Sequence, residues 1–186
     1  MLIQRRQEVL DDAKRTLESK YPNTKVKGYA ASVTDLDRIS SILKEIGKID
    51  ILVPNAGVSH PFVPSKGVAT AEFQRTFDVN VVSVFHIIKE FLALESSGPR
   101  VVVNTSSAAG QMVMPGNVGY GPSKAAANQM IQHLATEYAG MDVTILTFHP
   151  GTIYTESVSA LVPEDAMNWE DGRWDLPSRA RHHVAD

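Results

Sequence analysis

Short apolar runs alternate with helix-period segments along this chain, and that alternation constrains the fold more than any other feature. The runs are Val26 to Val33, Ile49 to Val53, Arg100 to Asn104 and Val143 to Phe148. Between them, apolar residues recur three and four apart. Val9, Leu10, Ala13 and Leu17 mark a helix over about 6–20, and Leu36, Ile39, Ile42, Leu43 and Ile46 mark a second. Phe73, Phe77, Val81, Val84, Phe85 and Ile88 belong to a long helix over about 70–94, and a last helix runs over about 119–139. Tyr21-Pro22-Asn23 stops the first helix, Thr34 is placed to cap the second and Gly47 to close it. Short continuous apolar strands alternating with helices build parallel β-α units with both sheet faces covered. The expected fold is α/β, a three-layer, doubly wound parallel sheet.

A chain of 186 residues with 43% hydrophobic content suits a single core. The pattern holds over residues 1–162. Over 163–186 it fails, and a short helical turn near Pro163 to Met167 followed by an irregular tail is expected. A net charge of −3 with no basic block argues against nucleic acid as a partner. With no cysteine, disulfides and thiolate metal sites are excluded. His182, His183 and Asp186 read as a solvated tail, and no metal site is expected. The longest apolar stretch, Val79 to Leu94, is interrupted by His86, Lys89 and Glu90, so no membrane span is expected. The start of the chain is too short in its apolar part for a signal peptide, which implies a cytoplasmic protein.

The chemistry concentrates at Tyr120-Gly121-Pro122-Ser123-Lys124. Tyr120 and Lys124 stand four apart at the start of a helical run, hence on one face. A lysine ammonium beside a phenol favours the phenolate, which makes Tyr120 a candidate proton donor and acceptor. Taken alone, the pair could be an ordinary couple on a helix surface. Ser107 lies thirteen residues before Tyr120, after the run that ends at Asn104, and Asn80 sits in Asp78-Val79-Asn80-Val81. Asn55-Ala56-Gly57 follows another apolar run, and Pro150-Gly151 with Thr155 follows the last. Each motif is weak, but their order and placement are specific.

Together these motifs resemble the short-chain dehydrogenase/reductase family over roughly residues 1–160. The resemblance implies a Rossmann-like fold and an NAD(P)(H)-dependent oxidoreductase interconverting an alcohol with a ketone or aldehyde. It implies Tyr120 as general acid/base and Ser107 as hydrogen-bond donor to the reacting oxygen. Lys124 would favour the ionised Tyr120 and bind the nicotinamide ribose, and Tyr120 would contact the cofactor beside it. Asn80 would hold a water linking Lys124 to solvent. Asn55, Ala56 and Gly57 would line the cofactor cleft at the carboxyl ends of the strands, and Pro150, Gly151, Ile153 and Thr155 would meet the nicotinamide side. Val58 to Lys66, Gln111 to Asn117 and Val158 to Met167 would line a substrate pocket, and Met112, Val113, Met114 and Leu161 there suggest an apolar substrate. Homodimer or homotetramer assembly through the helices near 70–94 and 119–139 is also implied.

The sequence departs from the family pattern in its first part. No Gly-x-x-x-Gly-x-Gly occurs, and Leu2-Ile3 reads as the end of the family's second strand. About 30 residues of strand, turn and helix are therefore expected to be missing, by typical element lengths. That segment would bind a pyrophosphate and supply a central strand. Gln4 stands where an acid would favour NAD, and Arg5 follows, so NADP(H) is favoured over NAD(H). Ser32 replaces an aspartate expected near adenine, and Pro54 an asparagine. The alternative reading is a catalytically inactive fragment, or a non-catalytic partner of a full-length relative. A hydrolase built on Ser107 lacks a suitably spaced histidine–carboxylate pair.

Overall fold

The structure, a computed structural model, describes residues 1–151 and 153, together with the backbone of 167–168 and 173–174. Five parallel strands alternate with helices: β1 (Leu2–Gln4), α1 (Gln7–Lys20), β2 (Gly28–Ala30), α2 (Leu36–Ile46), β3 (Ile51–Leu52), α3 (Thr70–Phe77), α4 (Ser83–Ala93), β4 (Arg100–Thr105), α5 (Tyr120–Glu137) and β5 (Val143–Phe148). Gly47 closes α2 at φ +73°, a conformation open to glycine without strain. The cap at the other end of α2 is Asp35, whose carboxylate accepts the Arg38 N–H, and not Thr34. An N-cap side chain must reach a backbone amide two or three residues on, and only the structure fixes which of two adjacent candidates does so.

The long helix expected over 70–94 is interrupted. Residues Asp78–Val82 form a π-helical turn between α3 and α4, centred on Asn80. Such one-turn widenings are frequent at functional sites, and this one holds the buried Val79 and Asn80. Arg100 closes the far end of α4 by donating from Nη1 to the Phe91 and Leu94 carbonyls.

The core lies between α4, α5 and one face of β3–β4–β5. Leu52, Val102 and Ile145 from the strands meet Val84, Ile88 and Phe91 of α4 and Ile131 of α5. Each such fully buried side chain contributes roughly 1.5–3 kcal/mol. Ile39, Ile42 and Leu43 of α2 are buried, and this helix packs on α4.

The α/β architecture is the expected one, and its parallel strands form two hydrogen-bonded groups, β1–β2 and β3–β4–β5. Two details differ from expectation among the described residues. The second group is covered on one face only. On its other face Ile51 is 64% exposed, Val53 54% and Phe148 42%. A continuous apolar run signals a strand suited to burial on both faces, but carries no information on what reaches the second face. In the C-terminal part, Met167–Asn168 (β6) pairs antiparallel with Arg173–Trp174 (β7), so Met167 belongs to a strand and not to a helical turn. The rest of that turn and of the tail lies outside the described residues, as does Leu161. No helix among the described residues is long and apolar enough to cross a membrane.

Candidate active site

Parallel strands put all their carboxyl ends on one edge, and the residues singled out by the motifs follow those ends. Arg5 follows β1, Asn55-Ala56-Gly57 follows β3, Ser107 follows β4, and Pro150, Gly151 and Ile153 follow β5. Ligands of open α/β sheets bind outside such an edge. Asn55, Ala56, Gly57, Pro150, Gly151 and Ile153 are exposed there. Arg5 is exposed too, but on the separate β1–β2 pair, where its N–H donates to Gln4 Oε1 at 2.5 Å. Thr155 lies outside the described residues.

The first two turns of α5 hold the centre together. Lys124 is buried, and its Nζ donates to the Thr105 carbonyl at 3.0 Å. The same ammonium lies 5.8 Å from the centroid of the Tyr120 ring, within cation–π range. Gly57 passes close by, since a Cβ there would lie 3.5 Å from both Lys124 Nζ and Asn80 Oδ1. The segment after Ser107 forms a 3-10 turn, Ala108–Gly110, that packs onto α5 without room for side chains. A Cβ on Gly121 would meet the Ala109 carbonyl oxygen at 2.9 Å, and one on Gly110 would meet Ala125 N at 3.0 Å. Ser107 Oγ accepts the Ala109 N–H at 3.2 Å, which leaves its hydroxyl proton to donate elsewhere.

Asn80 is fully buried and spends its side chain inside the protein. Its Oδ1 accepts the Val58 N–H at 2.9 Å, and its Nδ2 donates at 2.9 Å to both the Val58 carbonyl and Ser123 Oγ. Ser123 in turn donates to the Tyr120 carbonyl at 2.7 Å. One amide therefore ties the loop after β3 to the helix turn bearing Tyr120 and Lys124. Ser123 and His60 were not singled out by sequence. Ser123 sits inside the Tyr120–Lys124 motif, where a small polar residue gave a signal that periodicity ignores. His60, 3% exposed, gave none.

Burial pushes the Lys124 ammonium below its ordinary value of 10.5. Between that lowered value and 10.5, the unfolded chain binds more protons than the native one, so native stability rises with pH across the window. Replacing Lys124 with Met is expected to remove this rise and to stabilise the chain at neutral pH, where the buried charge is lost. Urea melts of both chains from neutral pH up to about 10.5 check it, and parallel pH profiles would contradict it.

These residues suit the nicotinamide–ribose half of a dinucleotide. Lys124 carries three donors and uses one on Thr105, while Thr105 Oγ1 is buried without a partner among the described residues. A cavity of about 500 Å³ lies along the Gln111–Val118 segment and α5, lined among others by Met112, Val113, Met114 and Pro122. Tyr120 and Ser107 are not in its wall. Ser107 lines a smaller cavity of about 100 Å³ with Asn128 and His149.

Comparison with known proteins gives a consistent result. The family model for short chain dehydrogenases matches residues 1–166. A short chain dehydrogenase/reductase of Aspergillus aculeatus is 45% identical over 159 residues, which cover 86% of this chain and 56% of the relative. A 3alpha-hydroxysteroid dehydrogenase of Mediterraneibacter gnavus is 32% identical, with 84% of this chain and 64% of the relative covered. Among solved structures, the Pseudomonas aeruginosa RhlG/NADP active-site complex superposes with a TM-score of 0.78 at 26% identity, covering 96% of this chain and 75% of that one. The chain thus spans little more than half the length of its Aspergillus relative.

Proposed function

This chain belongs to the short-chain dehydrogenase/reductase family, and from that premise we propose that it is an NAD(P)(H)-dependent oxidoreductase interconverting an apolar alcohol with its ketone or aldehyde. The observation that carries the reading is Lys124, buried beside Gly57 and Asn80 with Nζ held over the Tyr120 ring. A buried ammonium with no carboxylate partner among the described residues is costly, and a site that keeps one gains from its charge.

In the reducing direction, Ser107 donates its hydroxyl proton in a hydrogen bond to the substrate carbonyl oxygen. Tyr120 transfers its phenolic proton to the same oxygen as negative charge develops there. Lys124 stabilises the resulting phenolate, and a water near Asn80 returns the proton from solvent. In the oxidising direction each transfer reverses. The nicotinamide cofactor, when bound, supplies or accepts the hydride.

Lys124 would hold the ribose with Tyr120 beside it, the Asn55–Gly57 segment would line the cofactor cleft, and Pro150, Gly151, Ile153 and Thr155 would meet the nicotinamide side. The chain contains no Gly-x-x-x-Gly-x-Gly to cradle a pyrophosphate. Exposed Arg5, beside Gln4 and not an acid, favours NADP(H) over NAD(H). Arg5→Ala is expected to weaken NADPH binding by about tenfold, a typical loss for one charge-assisted contact, while leaving NADH unchanged. Parallel titrations check this, and equal losses for both nucleotides would contradict it.

The methionine-bearing wall of the larger cavity and the likeness to a 3alpha-hydroxysteroid dehydrogenase support an apolar substrate. The test is NADPH consumption with a 3-ketosteroid as probe. Turnover lost in Tyr120→Phe supports the reading, and turnover unchanged in that variant overturns it. Val82 and Phe85, 44% and 46% exposed on the π-turn and α4, support assembly of two or four copies through these helices and α5. Cytoplasmic location is part of the same proposal.

A further inference from the structure

His60 is buried in the loop after β3, and both its ring nitrogens are committed to backbone groups whose roles are fixed. Nδ1 lies 2.7 Å from the Pro61 carbonyl oxygen, which can only accept, so Nδ1 carries the proton. Nε2 lies 2.9 Å from the Gly119 nitrogen, whose N–H can only donate, so Nε2 accepts. The site therefore demands the neutral ring protonated at Nδ1. An imidazolium would set Nε2–H against the Gly119 N–H, at the positive end of α5.

Gly119 is the residue before Tyr120 and the N-cap of α5, with no side-chain cap of its own. A Cβ at Gly119 would come within 2.7 Å of His60 Cδ2, so the contact requires glycine. The same loop is gripped at Val58 by Asn80. His60 is thus the second of two clamps between this loop and the helix turn that presents the tyrosine. Asn80 acts through Ser123 at the Tyr120 carbonyl, and His60 acts at the amide just ahead of Tyr120.

We propose that His60 is a positioning residue for Tyr120: as its neutral Nδ1–H tautomer it accepts the Gly119 amide and fixes the backbone from which the Tyr120 ring departs. The functional part rests on Tyr120 being the acid/base group, while the geometric part can be tested without turnover.

Nitrogen-15 NMR of the wild-type ring should report the Nδ1–H tautomer, and an Nε2–H ring would overturn the proposal with no variant needed. Amide exchange and Tyr120 ring signals are then compared in His60→Leu and His60→Gln, the latter keeping an acceptor near the Nε2 position. In His60→Leu, exchange at Gly119 should rise by roughly tenfold, with shifted Tyr120 ring signals. His60→Gln should restore both. Unchanged Tyr120 signals in His60→Leu, or equal losses in the two variants, would reduce His60 to a filler of space and overturn the proposal. If these shifts occur while Tyr120→Phe keeps full turnover, the acid/base reading fails and the positioning geometry stands.

Discussion

Replacing Tyr120 with Phe is expected to lower kcat for NADPH-driven reduction of the ketone probe by roughly 10²–10⁴-fold, the usual contribution of a positioned acid/base group. The substitution removes one hydroxyl and keeps the ring that lies beneath Lys124 Nζ at 5.8 Å. The helix turn is held by backbone and by Ser123, whose Oγ donates to the Tyr120 carbonyl and not to the phenol. Binding of NADPH should therefore survive, and the loss should fall on kcat with little change in nucleotide affinity. A variant losing affinity and turnover together would mean that the phenol builds the site and does not serve the reaction.

Asn80→Ala is expected to cost on the order of 3–5 kcal/mol of folding stability, from lost hydrogen bonds and the space left behind. Asn80 is fully buried and makes three hydrogen bonds. Its loss strands the N–H and the carbonyl of Val58 and one partner of Ser123. Val58 is half-buried, so its unpartnered groups carry a share of their desolvation penalty, and a domain has only about 5–15 kcal/mol in all. The π-turn over Asp78–Val82 should relax toward a regular helix once the amide is gone. Urea unfolding gives the energy. A loss under about 1 kcal/mol, the level of an ordinary surface change, would contradict the clamp.

The strands, the helices and the order of the motifs were legible because they depend on local periodicity and turn chemistry. Gly47 could be read as a helix stop from its lack of a Cβ, and Tyr120 and Lys124 as one face from their spacing. The π-turn was not legible. One wide turn inside a helix leaves the apolar spacing of Phe77, Val81, Val84 and Ile88 almost unchanged, and only the backbone hydrogen bonding of the folded chain reveals it. The open face of β3–β4–β5 was hidden for a different reason. Ile51, Val53 and Phe148 are as apolar as residues buried on both sides, and pattern cannot say what covers them. His60 was invisible because its partner, the Gly119 amide, lies 59 residues away, and backbone groups leave no trace in side-chain sequence.

The proposed reaction requires that the 186-residue chain bind a nicotinamide nucleotide at Lys124. Calorimetric titration of the purified chain with NADPH, then NADH, measures this binding. Micromolar binding of NADPH, weaker binding of NADH, and loss of both in Lys124→Ala are the expected result. A folded chain that binds neither nucleotide would overturn that reading, leaving a chain that keeps the tyrosine and lysine but does not by itself hold the cofactor.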